Sequence, residues 1–414
     1  MVEGFLRGGV GIDSRKAAPG QLFFALKGER VDGHDFLEEV AAKGAEAAVV
    51  SEGYEGPDFG LKFIRVGDVL GSLQWLAKEV LAQRGTRVVG VTGSVGKTTT
   101  KEFIATLLAG RYRVGKSPGN SNSQVGVPLS ILNGSGEEEV LVLEMGMSGP
   151  GEIAKLVQIA PPEVALITKI GLAHSEFFPT GVEGIRAAKA EIFSHPHTRV
   201  GIVPKDSGVE GKKTFALGDI SADYGLCGDR IFEEGKEVYG VHLPFMASHL
   251  RENFLGAAAV ARNLGMSWEE IGEQTQLLKV YPMRFERQEK NGVVYINDAY
   301  NANPISMRAA LMNLPKPVEG GRTIAILGEM KELGPFSRPS HQEIGKLALQ
   351  VVDQLICLGK ECEPMVELFQ QAGRPVDHFL EIEALREYLA AVIKEGDVVL
   401  LKGSNSNGLW RLLA

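Results

Sequence analysis

Residues 90–100 read GVTGSVGKTTT, and in this stretch residue type and spacing point most directly to chemistry. An apolar run closes at Val91, glycines follow, and good helix formers begin at Lys97. Such a loop holds phosphates: glycines let successive backbone N–H groups crowd an anion, and the helix amino terminus adds partial positive charge. Gly93, Ser94, Val95 and Gly96 would form the cradle, with Thr99 just behind it. Lys97 would reach β- and γ-phosphate oxygens, and the Thr98 hydroxyl would bind Mg²⁺. The usual G-x-x-x-x-G-K-[ST] pattern asks for glycine where the chain has Val91, so what remains is the tighter form Thr92 to Thr98. A plain glycine-rich turn is the alternative. The strand–loop–helix context favours a nucleotide, ATP or GTP.

Phosphoryl transfer needs a metal holder beyond the loop. Glu144 ends the apolar run VLVLE. Alone, a carboxylate there reads as a solvated cap; beside a phosphate loop it faces the phosphates, because open α/β sheets bind ligands at the carboxyl ends of their strands. His174 follows the run EVALITKI and is a weaker metal candidate, while His195 and His197 flank Pro196 as surface residues. Lys189, in GIRAAKAEIF, reads on its own as a solvated lysine on a helix. Asn253, Arg284, Asp298 and Asn301 are polar loop residues that prove nothing singly. NDAYNANPISM (297–307) stands out as a polar loop between a strand and a helix capped by Asn303 or Ser306.

The elements that must position these groups alternate. RVVGV (87–91), EVLVLE (139–144), EVALITKI (163–170) and RVGIVP (199–204) read as buried strands with helical stretches such as 97–110 and 181–194 between some of them. Continuous apolar strands alternating with helices predict a parallel sheet covered on both faces. A second, smaller series follows in GVVYIND (292–298), RTIAILGEM (322–330), DQLICLG (353–359) and DVVLLKGS (397–404). Ahead of both, strands at 22–28, 45–51 and 62–68 accompany helices at 36–45 and 71–85. The expected architecture is three α/β domains, 1–82, 83–285 and 286–414, the central one a P-loop-type parallel-sheet domain.

Composition narrows the classes. The 414 residues carry a net charge of −8, which disfavours a nucleic-acid binder relying on backbone phosphates. Hydrophobic residues at 44% exclude a disordered chain. No run approaches the roughly 20 apolar residues of a membrane span, and the first residues show no basic region ahead of an apolar core. Cys227, Cys357 and Cys362 form no CxxC, so neither a disulfide framework nor a zinc site is indicated and a cytoplasmic protein is expected. A regulatory GTPase would want N/T-K-x-D; the nearest string, Thr168-Lys169-Ile170-Gly171, has glycine where the base would be read.

Nine segments in order, IDSRKAAPGQLFFALKGERVDGHDF (12–36), TGSVGKTT (92–99), GNSNSQVGVPLS (119–130), EMG (144–146), GLAHSE (171–176), AKAEIF (188–193), NDAYNANP (297–304), LGEMKELG (327–334) with His341, and LKGSNS (401–406), resemble the Mur ligases over nearly the whole chain. The resemblance implies a smaller UDP-sugar-binding domain, the ATPase, and a carboxy-terminal Rossmann-like domain. It implies an ATP-dependent amide ligase, expected to act as a monomer, that joins D-alanyl-D-alanine to UDP-N-acetylmuramoyl-tripeptide through an acyl phosphate; a related ligase adding another amino acid, as to folate, is the alternative. It also implies residue roles. Thr98, Glu144 and His174 would serve Mg²⁺, Asn120 the phosphates, and Lys189, as a carbamate, a second Mg²⁺. Asn253 would meet adenine, Arg284 and Asp298 phosphate and ribose, Ser14 and Arg15 the UDP-sugar end. Tyr300, Asn301 and Asn303 would lie near the dipeptide. The family's His-Asn with a further Asn three residues on is here Glu252-Asn253 with Gly256, so adenine recognition is expected to be altered.

Overall fold

The computed structural model describes residues 8–173 and 175–413. Three sheets follow one another along the chain, each with helices packed on it. The first is four-stranded and parallel, in the order Val10–Gly11, Leu22–Phe24, Ala47–Ser51, Lys62–Val66. Helix Val69–Arg84 then leads to the second sheet and stops at Gly85, whose left-handed backbone (φ 64°) suits a residue without a side chain.

The central sheet has nine strands. Its parallel part runs Val114–Lys116, Val140–Glu144, Arg87–Thr92, Val164–Ile167, Val200–Pro204, Lys213–Leu217, Tyr224–Cys227. An antiparallel pair, Arg230–Glu233 and Lys236–Gly240, extends the far edge. Alternation along the buried strands serves two layers. Val89, Val91, Val140 and Val142 face helices Lys97–Leu108 and Ser248–Asn263, whereas Val88, Leu141, Leu143 and Ile167 face helices Val69–Arg84 and Glu152–Ile159. The sheet is therefore covered on both sides, as continuous apolar strands require.

The third sheet has the order Glu286–Lys290, Val293–Asn297, Val398–Lys402, Thr323–Gly328, Gln354–Leu358, Val376–Phe379 and is parallel except for its first pair. One apolar cluster runs from the central sheet into this one, joining Phe254 and Phe285 to Ala325, Leu327 and Leu355. Among the described residues no helix is long and apolar enough to cross a membrane.

Candidate active site

The phosphate loop is strapped from behind. Gly93 has φ 151°, and a Cβ there would fall 2.0 Å from Thr168 Oγ1. At Gly96 (φ 82°) a Cβ would meet Asn253 Oδ1 at 2.5 Å. Both positions therefore demand glycine for backbone angle and for space. The Thr168 hydroxyl donates to the Val95 carbonyl. The Ser94 N–H donates to the Lys169 carbonyl at 2.7 Å, and its hydroxyl to the Gly171 carbonyl at 2.7 Å. Lys97 curls back and donates to the Gly93 carbonyl at 2.9 Å; burial holds its ammonium below the ordinary lysine value.

Parallel pairing sets Val91 opposite Glu144, so the end of the neighbouring strand meets the first turn of the loop's helix. There Thr98 Oγ1 donates to Glu144 Oε2 at 2.8 Å, and the other carboxylate oxygen accepts from Asn122 Nδ2 at 2.8 Å. Both Thr98 and Glu144 are buried. Lys101, fully buried one turn after Lys97, donates to the carbonyls of Ser117 and Gly119 at 2.7 and 2.6 Å. Ser117 Oγ in turn accepts the Glu144 N–H at 3.1 Å. The sequence alone does not single out Asn122 or Lys101. Their signal was present, since both stand in polar segments beside the loop and its helix.

Arg284, at the start of the third sheet's region, reaches into the same place. Its Nη2 donates to Thr98 Oγ1 at 3.2 Å, and its guanidinium carbon lies 3.7 Å from the Tyr300 ring centre. Burial lowers its pKa, and its Nε is buried with no partner in the structure. Beside it, Asp298 Oδ2 accepts from Lys402 at 2.6 Å while Oδ1 accepts the Phe285 N–H at 3.0 Å. Asn303 caps helix Pro304–Met312 in a reciprocal pair with Ser306, and Asn301 Oδ1 accepts the Ala302 N–H at 2.9 Å.

These groups open on one cleft of about 1230 Å³ between the second and third sheets. Ser94, Val95, Gly96, Lys97, Thr98, Thr99, Asn120, Glu144, Lys189, Asn253, Arg284, Asp298, Tyr300, Asn301 and Asn303 line it. Gly93 stands behind the loop. Ser14 and Arg15 lie apart, in the first domain: the Ser14 hydroxyl donates to Glu39 at 2.8 Å, and the exposed Arg15 pairs with Asp13. His174 lies outside the described residues. Lys189 is 2% exposed, and burial, reinforced by the Lys97 charge, pulls its ammonium far below the ordinary value. That favours a neutral, nucleophilic amine.

Also lining the cleft, the Glu252 carboxylate accepts from Lys169 at 3.2 Å, and burial raises its pKa. A Cβ at Gly256 would sit 3.3 Å from the ring of Phe215, so that ring takes the room a larger residue would need. His249, also missed from the sequence, lines the cleft with its ring edge-on to Phe285 (centres 4.8 Å apart).

Comparison with known proteins agrees with this geometry. Three family models match in succession: the Mur ligase family catalytic domain over 8–80, the Mur ligase middle domain over 91–261, and the Mur ligase glutamate ligase domain over 283–405. The UDP-N-acetylmuramoyl-tripeptide--D-alanyl-D-alanine ligase of Bacillus subtilis is 36% identical, covering 98% of this chain and 92% of its own. That of Escherichia coli is 33% identical over 95% and 90%. Among solved structures, MurF from Acinetobacter baumannii superposes with a TM-score of 0.86 at 29% identity, covering 98% of this chain and 92% of its own. The MurF ligase from Thermotoga maritima in complex with ADP does so at 0.81 and 32%, covering 99% and 97%. With relatives alike over at least 90% of their own length and a strapped phosphate loop whose Thr98 meets the Glu144 carboxylate of the neighbouring strand, the chain belongs to the Mur ligase family.

Proposed function

We propose that this chain is the ATP-dependent ligase that joins D-alanyl-D-alanine to UDP-N-acetylmuramoyl-tripeptide in peptidoglycan precursor synthesis. The observation that carries the reading is the meeting of Thr98, Glu144 and Arg284 at one point of a cleft bounded by two domains. A tripeptide carboxylate oxygen attacks the γ-phosphorus of ATP, and ADP leaves. The dipeptide amine then attacks the acyl carbon, loses a proton, and phosphate departs as the amide forms. Two anions must first approach each other, so the site has to neutralise charge. Lys97 and the loop N–H groups would hold the phosphates, while Arg284, with its unsatisfied Nε, would meet the oxygens of the transferred group.

The donor set fits a hard divalent cation. An alcohol and a carboxylate oxygen lie 2.8 Å apart, and Mg²⁺ is held through one or two carboxylates with substrate phosphates completing its shell. Bound there, Mg²⁺ would neutralise charge on the β- and γ-phosphates. Thr98 and Glu144 would be its ligands and His174 a neighbour. A carbamate on Lys189, turning a buried amine into an anion, would serve a second ion.

The proposed domains are 1–82 for the UDP-sugar peptide, with Ser14 and Arg15 toward it, 83–285 for ATP, and a dinucleotide-fold-like 286–414, whose Tyr300, Asn301 and Asn303 would lie near the dipeptide. Asn120 would lie at the phosphates, Asn253 at adenine and Asp298 at the ribose. The reaction would run in the cytoplasm. A coupled assay tests the function: phosphate release from ATP is expected only with both peptide substrates present. Equal release with neither would mean a plain ATPase.

A further inference from the structure

Two features near Arg284 have no part in the chemistry above. Arg284 is flanked by Met283 and Phe285, both left-handed at φ 57° and 63°. Bulky L residues rarely adopt that backbone, and it persists only where the surroundings enforce it. The second feature is Lys402, 1% exposed at the carboxyl end of strand Val398–Lys402. Its ammonium donates to Asp298 Oδ2 at 2.6 Å, to the Asp298 carbonyl at 3.3 Å and to the Asn301 carbonyl at 3.0 Å.

The two features are joined. Asp298 Oδ1 accepts the Phe285 N–H at 3.0 Å, and the Met283 carbonyl accepts the Tyr300 N–H at 3.3 Å. The loop held by Lys402 thus grips the linker on both sides of Arg284, and its Tyr300 supplies the ring on which the guanidinium lies. A buried ion pair is weak evidence for stability, since apolar replacements often do as well. Here the pair also fixes a loop and, through it, a strained linker.

We propose that Lys402 is a positioning residue for the ligase reaction: by clamping Asp298 and Asn301 it holds the Met283–Phe285 linker so that Arg284 projects into the phosphate cleft. The proposal deepens the ligase reading and rests on it for its kinetic half. The other half is independent of turnover. The whole chain is treated with phenylglyoxal, and arginine modification is followed by peptide mass spectrometry, with exposed Arg15 as internal standard. The variants are K402M and K402M/D298N, the second removing both charges so that no orphan carboxylate threatens folding. Arg284 is expected to react about tenfold faster or more in both, with Arg15 unchanged, because local release exposes it. An unchanged Arg284 rate in a folded K402M/D298N chain overturns the proposal.

In the ADP-forming assay, K402M/R284A should fall within about twofold of R284A alone, since residues acting through one another are not additive. Losses that multiply overturn the proposal too. A wild-type chain that forms no ADP with all substrates contradicts the ligase reading instead, and the Arg284 modification rate still decides the role of Lys402.

Discussion

The Thr98 hydroxyl lies 2.8 Å from Glu144 Oε2, although 46 positions separate the two residues in sequence. Adjacent parallel strands make the contact. With Val91 opposite Glu144, the loop turns back over its neighbour's end and sets an alcohol against a carboxylate. Replacing Glu144 by glutamine keeps the size and removes the charge. We predict that kcat falls by about 10²–10³, the usual scale for losing one preorganised electrostatic group, while the melting temperature moves little. Phosphate-release kinetics with thermal melts check this, and a variant retaining most of its kcat would remove Glu144 from the site.

Gly93 makes the second prediction. A methyl group there would sit 2.0 Å from Thr168 Oγ1 at a φ of 151°, so Gly93→Ala must shift the loop or the hydroxyl that straps it. ADP affinity should fall about tenfold or more while the circular dichroism spectrum is kept, because the strain falls on a loop that turns backbone N–H groups toward an anion. Calorimetric titration with ADP measures it. Unchanged affinity would mean that the loop's shape does not govern binding.

The third concerns Lys189. Its burial and the nearby Lys97 charge favour an uncharged amine, the form that adds CO₂. Lys189→Ala should lower turnover by about 10² or more, a loss typical of removing a group that acts in the transition state, and short carboxylates or bicarbonate should restore part of it. Full activity in the alanine variant would take Lys189 out of the reaction.

The fourth is a pH effect on stability. Burial pushes the His249 imidazole down to about 4, and the charged groups acting on it are Asp298, which raises the value, and Lys402, which lowers it. Between that value and the ordinary 6.5 the unfolded chain takes up a proton that the folded chain refuses. Stability should therefore fall as pH drops from about 6.5 toward 4, by up to about 3 kcal/mol from this group, and be indifferent to it above 6.5. Urea titrations of the wild type and His249→Leu across that range test the sign. Identical acid limbs in the two would contradict it.

Much of this site could be read from the sequence because its signals are local. Glycine spacing marks the phosphate loop, and a carboxylate ending an apolar run marks Glu144. Lys402 stands in the LKGSNS segment at the end of VVLLK, but no role follows for it from the sequence, because its partners Asp298 and Asn301 lie 104 and 101 positions away. Asp298, read as a ribose contact, is already engaged by Lys402 and the Phe285 N–H, a pairing that only the fold reveals.

The strands missed in the central sheet, Val114–Lys116, Lys213–Leu217 and those after the latter, lie toward its two edges, where apolar runs are short and most are interrupted by charged residues. Two of the turns nevertheless announced themselves. Glu234-Gly235 (φ 51° and 78°) and Asn291-Gly292 (φ 52° and 69°) are two-residue links with both backbones left-handed, the form that matches hairpin twist. Asn-Gly ahead of VVYIN could have supplied the antiparallel partner Glu286–Lys290 from sequence alone.

In the proposed reaction ATP phosphorylates the tripeptide's own carboxylate. The direct measurement uses tripeptide substrate carrying ¹⁸O in that terminal carboxylate, with mass analysis of the phosphate released after one round of ligation. The phosphate should bear one ¹⁸O atom, since the bridging oxygen of the acyl phosphate leaves with phosphorus. Phosphate free of label, with the amide formed normally, would contradict it.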